Sequence, residues 1–154
     1  GLETVRSDWT ELAKSFQKNL YQLIFASADL ADISKYILSL VEEVKAGEWD
    51  DKLVYRKRLR RKLELYVKNV PPHVKAARFA DQLNEQLGKP TRYQNKGWIS
   101  YVITVNGPQA IEHKQAEINY QHYIDKQLKT IADDILPFVD TSFEQITDQQ
   151  LSLF

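Results

Sequence analysis

Lys52-Leu53-Val54-Tyr55-Arg56-Lys57-Arg58-Leu59-Arg60-Arg61-Lys62 holds seven cations and no acid, and its alternation decides how the chain is to be read. Over residues 53–59 it sets Val54, Arg56 and Arg58 on one face, with Arg60 one step further on. Leu53, Tyr55, Lys57 and Leu59 fall on the other face. That period favours a strand, although arginine and lysine are also good helix formers. A strand needs a partner. Trp98-Ile99-Ser100-Tyr101-Val102-Ile103-Thr104-Val105 is the strongest strand in the sequence, rich in β-branched and aromatic residues and closed by the turn signal Asn106-Gly107-Pro108. No other segment reads as a strand, so the two are expected to pair in a small sheet that gives the arginine row a rigid platform.

The rest of the pattern is helical. Asp8 followed by Glu11 reads as a capping box opening a helix with Leu12, Phe16, Leu20 and Leu23 on one stripe. Ser27 or Asp29 caps a second helix carrying Leu30, Ile33, Ile37, Leu40 and Val44, and Gly47 supplies its left-handed stop. The short connection makes these two an antiparallel pair. Pro71 and Pro72 suit the first turn of a third helix, with the stripe Ala76, Phe79 or Ala80, Leu83 and Leu87, ended by Gly88 and Pro90. Lys75 and Arg78 fall off that stripe, toward solvent. A last long helix places Tyr120, Ile124, Leu128, Ile131 and Ile135 in register, with Pro137 near its end. The expected class is therefore α+β, predominantly helical, with a small antiparallel sheet.

At 154 residues the chain suits one compact domain. It has no cysteine, which excludes disulfides and thiolate metal sites and fits a reducing, cytosolic setting. His73, His113 and His122 lack paired ligand spacing, and no apolar run approaches the roughly 20 residues that span a bilayer. There is no methionine, and Gly1 is followed at once by charged and apolar periodicity, so a piece of a longer protein is expected.

Charge points to a class of partner. Residues 52–78 contain ten lysines and arginines against Glu64 alone, while residues 109–150 carry eight acids against three lysines, in a chain whose net charge is zero. A basic middle and an acidic end give two electrostatic sides, of which the basic one faces a polyanion, most often nucleic acid. On a strand, alternate side chains stand roughly 6.8 Å apart, close to two nucleotide steps along one DNA strand, so Arg56, Arg58 and Arg60 can each meet a phosphate. The competing reading is a solvated charged face, whose cations would repel one another with nothing to neutralise them.

A catalytic set is not evident. Asp50 with Asp51, and Asp133 with Asp134, are neighbours that diverge by about 100 degrees on a helix and do not share a metal. A metal-dependent nuclease would need converging carboxylates. Gly-x-Ser-x-Gly, phosphate-cradling glycine loops and metal-binding histidine pairs are all missing. His73 beside Pro72 fits either a phosphate donor at a helix N-terminus or a hydrogen-bonded structural histidine. The tail Gln150-Leu151-Ser152-Leu153-Phe154 ends on two large apolar residues, which either tuck into the domain or serve a partner.

Longer blocks carry a family resemblance. Gly1-Leu2-Glu3-Thr4-Val5-Arg6-Ser7-Asp8-Trp9 resembles the segment by which bacterial family B DNA polymerases, of the polymerase II kind, leave the palm and enter the thumb. Relatives carry two consecutive arginines there; this chain has Ser7 in the second place. Residues 53–61, then Asn69-Val70-Pro71-Pro72-His73-Val74-Lys75-Ala76-Ala77-Arg78, resemble the thumb's DNA-facing strand and Pro-His-Val helix start. Tyr93-Gln94-Asn95-Lys96-Gly97 leading into Ile99-Ser100-Tyr101-Val102 is similar to the second thumb strand. Tyr123-Ile124-Asp125-Lys126-Gln127-Leu128 and Ile135-Leu136-Pro137-Phe138 resemble the closing helix.

The resemblance implies a C-terminal thumb over 1–149, with 1–9 as the palm-thumb junction, and a sliding-clamp-binding peptide at 150–154. It implies a DNA-directed DNA polymerase whose two-metal nucleotidyl transfer uses magnesium on palm aspartates preceding Gly1, so that this piece grips DNA and catalyses nothing alone. Primer-template backbone contacts are expected from Arg6, Arg56, Arg58, Arg60, Arg61, Lys68, His73, Lys75 and Arg78. By the same likeness Gln150, Leu151, Ser152, Leu153 and Phe154 dock on the β sliding clamp, Gln150 at the rim and the apolar side chains in pockets. A cytoplasmic, nucleoid-associated protein of replication, repair and lesion bypass is implied, this piece being monomeric. The alternative is a standalone nucleic-acid-binding adaptor.

Overall fold

Gly97–Thr104 is the central strand of a three-stranded antiparallel sheet, as its run of isoleucine, tyrosine, valine and threonine favours. The structure, a computed structural model, describes residues 9–152, with side chains as far as residue 148. In chain order its main elements are α1 (Glu11–Phe25), α2 (Leu30–Lys45), β1 (Tyr55–Leu59), α3 (Pro72–Gln86), β2 (Gly97–Thr104), β3 (Gly107–Ala110), α4 (Tyr120–Tyr123), α5 (Lys129–Ile135) and α6 (Phe143–Ser152). The helical character and the small sheet agree with the α+β class read from the sequence. The chain divides into two compact units, a helical one (Gly1–Leu53 with Tyr120–Phe154) and a sheet-bearing one (Val54–Asn119).

In the helical unit, Leu12, Phe16 and Leu20 of α1 and Ile33, Ile37, Leu40 and Val44 of α2 are buried, as their spacing requires. Thr10, rather than Asp8, caps α1. Its backbone is extended and its hydroxyl accepts from the Ala13 N–H at 3.3 Å, while Asp8 lies outside the described residues. The same hydroxyl donates to Oε1 of buried Gln127 at 2.5 Å. Asp29, of the two candidates, caps α2 by accepting from Asp32 N–H, and Gly47 at φ +82° terminates it.

α4 and α5 join through a π turn, Ile124–Leu128, into the long closing helix expected from the sequence. α6 was not expected, because its sequence is polar; Phe143 and Ile146 are its buried anchors, and Asp133 Oδ1 accepts from Phe143 N–H at 3.0 Å. Among the described residues no helix is long and apolar enough to cross a membrane.

In the other unit β2 pairs with β1 on one side and β3 on the other. The pairing of β1 with β2 is as expected, but the sheet has a third strand. The turn signal Asn106-Gly107-Pro108 closes β2 as expected, and a third strand follows it. The chain turns at Val105 and Asn106, and Gly107–Ala110 returns along β2 as a hairpin. Thr104 holds the turn, its hydroxyl donating to Gly107 C=O at 2.7 Å and accepting from Asn106 N–H at 3.1 Å, with Gly107 at φ +99°.

α3 lies on one sheet face, over a core of Leu59, Tyr66, Val74, Ala76, Ala77, Ala80, Ile99, Tyr101 and Ala110. Its buried stripe is rotated from the one expected. Leu87 is 61% exposed, whereas Asp81 and Asn84 point inward. The polar pair is satisfied by a loop: Asp81 accepts from the N–H groups of Arg92 (2.7 Å) and Tyr93 (2.9 Å) and from Gln94 Nε2 (2.9 Å), and Asn84 Nδ2 donates to it at 3.3 Å. Small alanines on the remaining positions bring the helix close to the strands.

Candidate nucleic-acid interface

β1 is short, and its two faces differ in kind. Tyr55 and Leu59 turn toward α3, Tyr55 stacking on its cross-strand partner Tyr101 with ring centroids 5.2 Å apart. Lys57 shares their side. Arg56 and Arg58 are exposed on the opposite face, aligned with Ser100 and Trp98. Trp98 is half exposed, and the Arg56 guanidinium lies over its ring at 4.3 Å from the centroid.

Arg60 is exposed but stands one residue past the end of β1, so the expected row of three on one strand reduces to two. Its backbone N–H donates to the Tyr66 hydroxyl at 3.2 Å. Arg61 stacks on the Tyr66 ring at 4.8 Å. The short 3-10 turn Leu63–Leu65 follows, tied to the loop before β2 by Leu63 N–H on Gln94 C=O at 3.2 Å.

Arg78 closes this corner. Its Nη2 donates to the carbonyls of Leu63 (2.8 Å) and Tyr66 (2.5 Å), so the guanidinium is occupied in holding the 63–66 turn. His73 is 9% exposed, with its ring edge-on to Tyr66. Burial, and then the nearby Lys57 ammonium, hold its pKa below the ordinary histidine value, so the ring is neutral at pH 7. Lys68 and Lys75 are exposed. Arg6 lies outside the described residues.

Electrostatically the corner is unbalanced. No ion pair among the described residues engages Arg56, Arg58, Arg60 or Arg61; the pairs present are Lys52 with Glu11, Arg92 with Glu112 and Lys129 with Asp133. Four exposed guanidinium groups within six residues of backbone, two of them lying over aromatic rings, are planar donor forks of the kind that suits phosphate oxygens. Among the described residues no three His, Asp or Glu side chains gather as a metal site. Asp50 and Asp133 serve the helical unit, Asp50 accepting from the Tyr120 hydroxyl at 2.9 Å and Asp133 from α6.

Trp98 and Tyr66 belong to this surface and were not singled out from the sequence. The cross-strand register that brings Trp98 beside Arg56 is a property of the pairing, which alternation within either strand does not state.

The family model described as DNA polymerase family B matches residues 1–154. The chain belongs to this family. It is 47% identical to DNA polymerase II of Escherichia coli over all 154 residues, covering 100% of this chain and 19% of that protein. It is 29% identical over 146 residues to DNA polymerase 2 of Aeropyrum pernix, covering 90% of this chain and 17% of that one. Among solved structures it resembles the family B DNA polymerase of Pyrobaculum calidifontis, with a TM-score of 0.63 and 28% identity over 83% of this chain and 18% of that one. The chain thus spans about a fifth of the length of its relatives in family B. Of the tail, Gln150, Leu151 and Ser152 fall in the last turn of α6, while Leu153 and Phe154 lie outside the described residues.

Proposed function

We propose that this chain is the thumb of a DNA-directed DNA polymerase, holding the primer-template duplex by its phosphates. The observation that carries the reading is the exposed guanidinium set of Arg56, Arg58, Arg60 and Arg61, free of ion pairs among the described residues, on a chain of family B. Lys68, Lys75 and Arg6 extend the set. Arg78 and His73 support it from beneath, Arg78 by holding the 63–66 turn and His73 as a neutral ring packed on Tyr66. Such contacts position a duplex without reading its bases, as copying of any sequence requires. Nucleotidyl transfer and its magnesium ions belong to the larger part of the polymerase, outside these 154 residues.

Salt dependence tests the reading. Each neutralised phosphate releases counterions, so log affinity for duplex DNA should fall with log salt at a slope of about −3 to −6, for on the order of four to six phosphates. Fluorescence anisotropy on two unrelated duplexes should return the same slope. A slope near zero would remove the phosphate grip.

The segment 150–154, Gln-Leu-Ser-Leu-Phe, is the second element of the proposal, as a short peptide that docks on the β sliding clamp and tethers the polymerase during replication, repair and lesion bypass under the SOS response. So short a peptide binds in the micromolar range, about −8 kcal/mol, and simultaneous attachment to DNA raises its effective strength. Removing Leu153 and Phe154 should abolish clamp pull-down while leaving the melting temperature unchanged. Retained clamp binding, or a large loss of stability, would count against docking.

A further inference from the structure

Arg56 is a long, flexible cation, and an unrestrained arginine loses rotamer entropy when a phosphate immobilises it. Here that restraint is already in place. The guanidinium sits 4.3 Å from the Trp98 ring centroid, on the sheet face away from α3, and the indole is 50% exposed. Trp98 occupies the β2 position directly opposite Arg58, so Arg56 reaches it along the diagonal, a distance that a long side chain covers. A cation held over a ring by its flat face keeps its N–H edge free to donate. The arrangement needs no burial of Trp98 in the core, which is built on the other face from Leu59, Ile99 and Tyr101.

We infer that Trp98 is a positioning residue for phosphate binding: it holds Arg56 by a cation–π stack in the orientation that meets the DNA backbone, and with Arg56 and Arg58 forms one subsite for a backbone phosphate group. The inference rests on the phosphate-gripping reading above. Tyr66 has the same relation to Arg61. Yet Tyr66 is also a core residue and accepts from Arg60 N–H, so changes there would confound positioning with folding. Trp98 separates the two.

The experiment is a double-mutant cycle in duplex binding by this chain, read by anisotropy at fixed salt, with Trp98→Ala, Arg56→Ala, the double variant and Arg58→Ala. A partly exposed cation–π contact is worth roughly 3-fold to 30-fold in an equilibrium, so Trp98→Ala should weaken binding about 5-fold. Arg56→Ala should weaken it by at least as much, and the double variant by no more than Arg56→Ala alone. Trp98→Phe, which keeps a π face, should stay within about 3-fold of the parent, whereas Trp98→Leu, which keeps only apolar cover, should bind like Trp98→Ala.

Additive losses in the double variant, or parent-like binding by Trp98→Leu, would overturn the positioning role. Arg58→Ala distinguishes the two levels of failure. If it weakens binding while the cycle shows no coupling, the positioning inference alone falls. If neither Arg58→Ala nor Arg56→Ala weakens binding, the phosphate grip falls with it. Far-UV circular dichroism of each variant verifies that the sheet is intact, and Trp98→Phe against Trp98→Leu decides the matter even if the alanine variant does not fold.

Discussion

Replacing Arg56, Arg58 and Arg61 together with alanine should lower duplex affinity by about three orders of magnitude at moderate salt. Each guanidinium removed forfeits a charge-assisted hydrogen bond of about 1.5 kcal/mol and the release of roughly one counterion. The log-log salt slope should therefore flatten by about 2 to 3 at the same time. Those two effects belong together. A loss of affinity with an unchanged slope would mean that the variant had damaged something other than phosphate contacts. The loss should also be equal on unrelated sequences, since backbone contacts carry no base information.

Stability should move little in the same variant. These three side chains make no ion pair among the described residues, and Arg56 and Arg61 contribute only exposed stacking. Removing like charges that crowd one corner relieves repulsion, which offsets the lost stacks. The expected melting temperature is therefore close to that of the parent chain, and a deep loss of stability would show that the arginines serve the fold.

The faces of β1 are legible in the sequence. Alternation alone put Arg56 and Arg58 on one face of a strand, and the β-branched run after Gly97 identified the strand's partner. Hydropathy failed where a polar side chain is buried for the sake of a neighbouring backbone. Asp81 and Asn84 look like solvent residues in a helical repeat, so the stripe of α3 was misplaced toward Leu87. β3 escaped notice because Gly107, Pro108 and Gln109 are poor strand formers; the hairpin is held by Thr104 and by buried Gln109, whose Oε1 accepts from Gln115 and Ala116 N–H groups. The strand's end at Leu59 is equally invisible, since it depends on the register that sets Leu59 opposite Gly97, the first residue of β2. Local pattern shows which face a residue takes; it does not show where the partner strand begins or ends.

Asp81→Ala should be among the most damaging single changes in the sheet-bearing unit, although Asp81 lies on α3 and not on a strand or among the exposed arginines. Asp81 is 2% exposed, and its carboxylate accepts from Arg92 N–H, Tyr93 N–H, Gln94 Nε2 and Asn84 Nδ2. Alanine orphans the buried Tyr93 N–H and Asn84 Nδ2 at about 1–3 kcal/mol each, and the part-buried Arg92 N–H and Gln94 Nε2 lose their acceptor at a smaller cost because water can replace it, so a total of about 3–5 kcal/mol is expected. On a domain of this size the melting temperature should fall by about 10 °C or more. Asp81→Asn keeps one acceptor oxygen but turns an N–H₂ against a backbone N–H, so about half the loss should return. Asp51→Ala, at an exposed acid, should change stability by less than about 0.5 kcal/mol and serves as the control. The effect should also reach the candidate site. Gln94 C=O accepts from Leu63 N–H, so releasing the loop loosens the 63–66 turn that Arg78 clasps and on which Arg61 stacks. Below its own melting transition the Asp81→Ala chain should therefore bind duplex DNA several-fold more weakly than the parent with its salt slope nearly unchanged, because the cations remain while their placement is lost. A variant that melts like the parent would refute the role given to Asp81, and one that melts early yet binds at full strength would break the link from loop to turn.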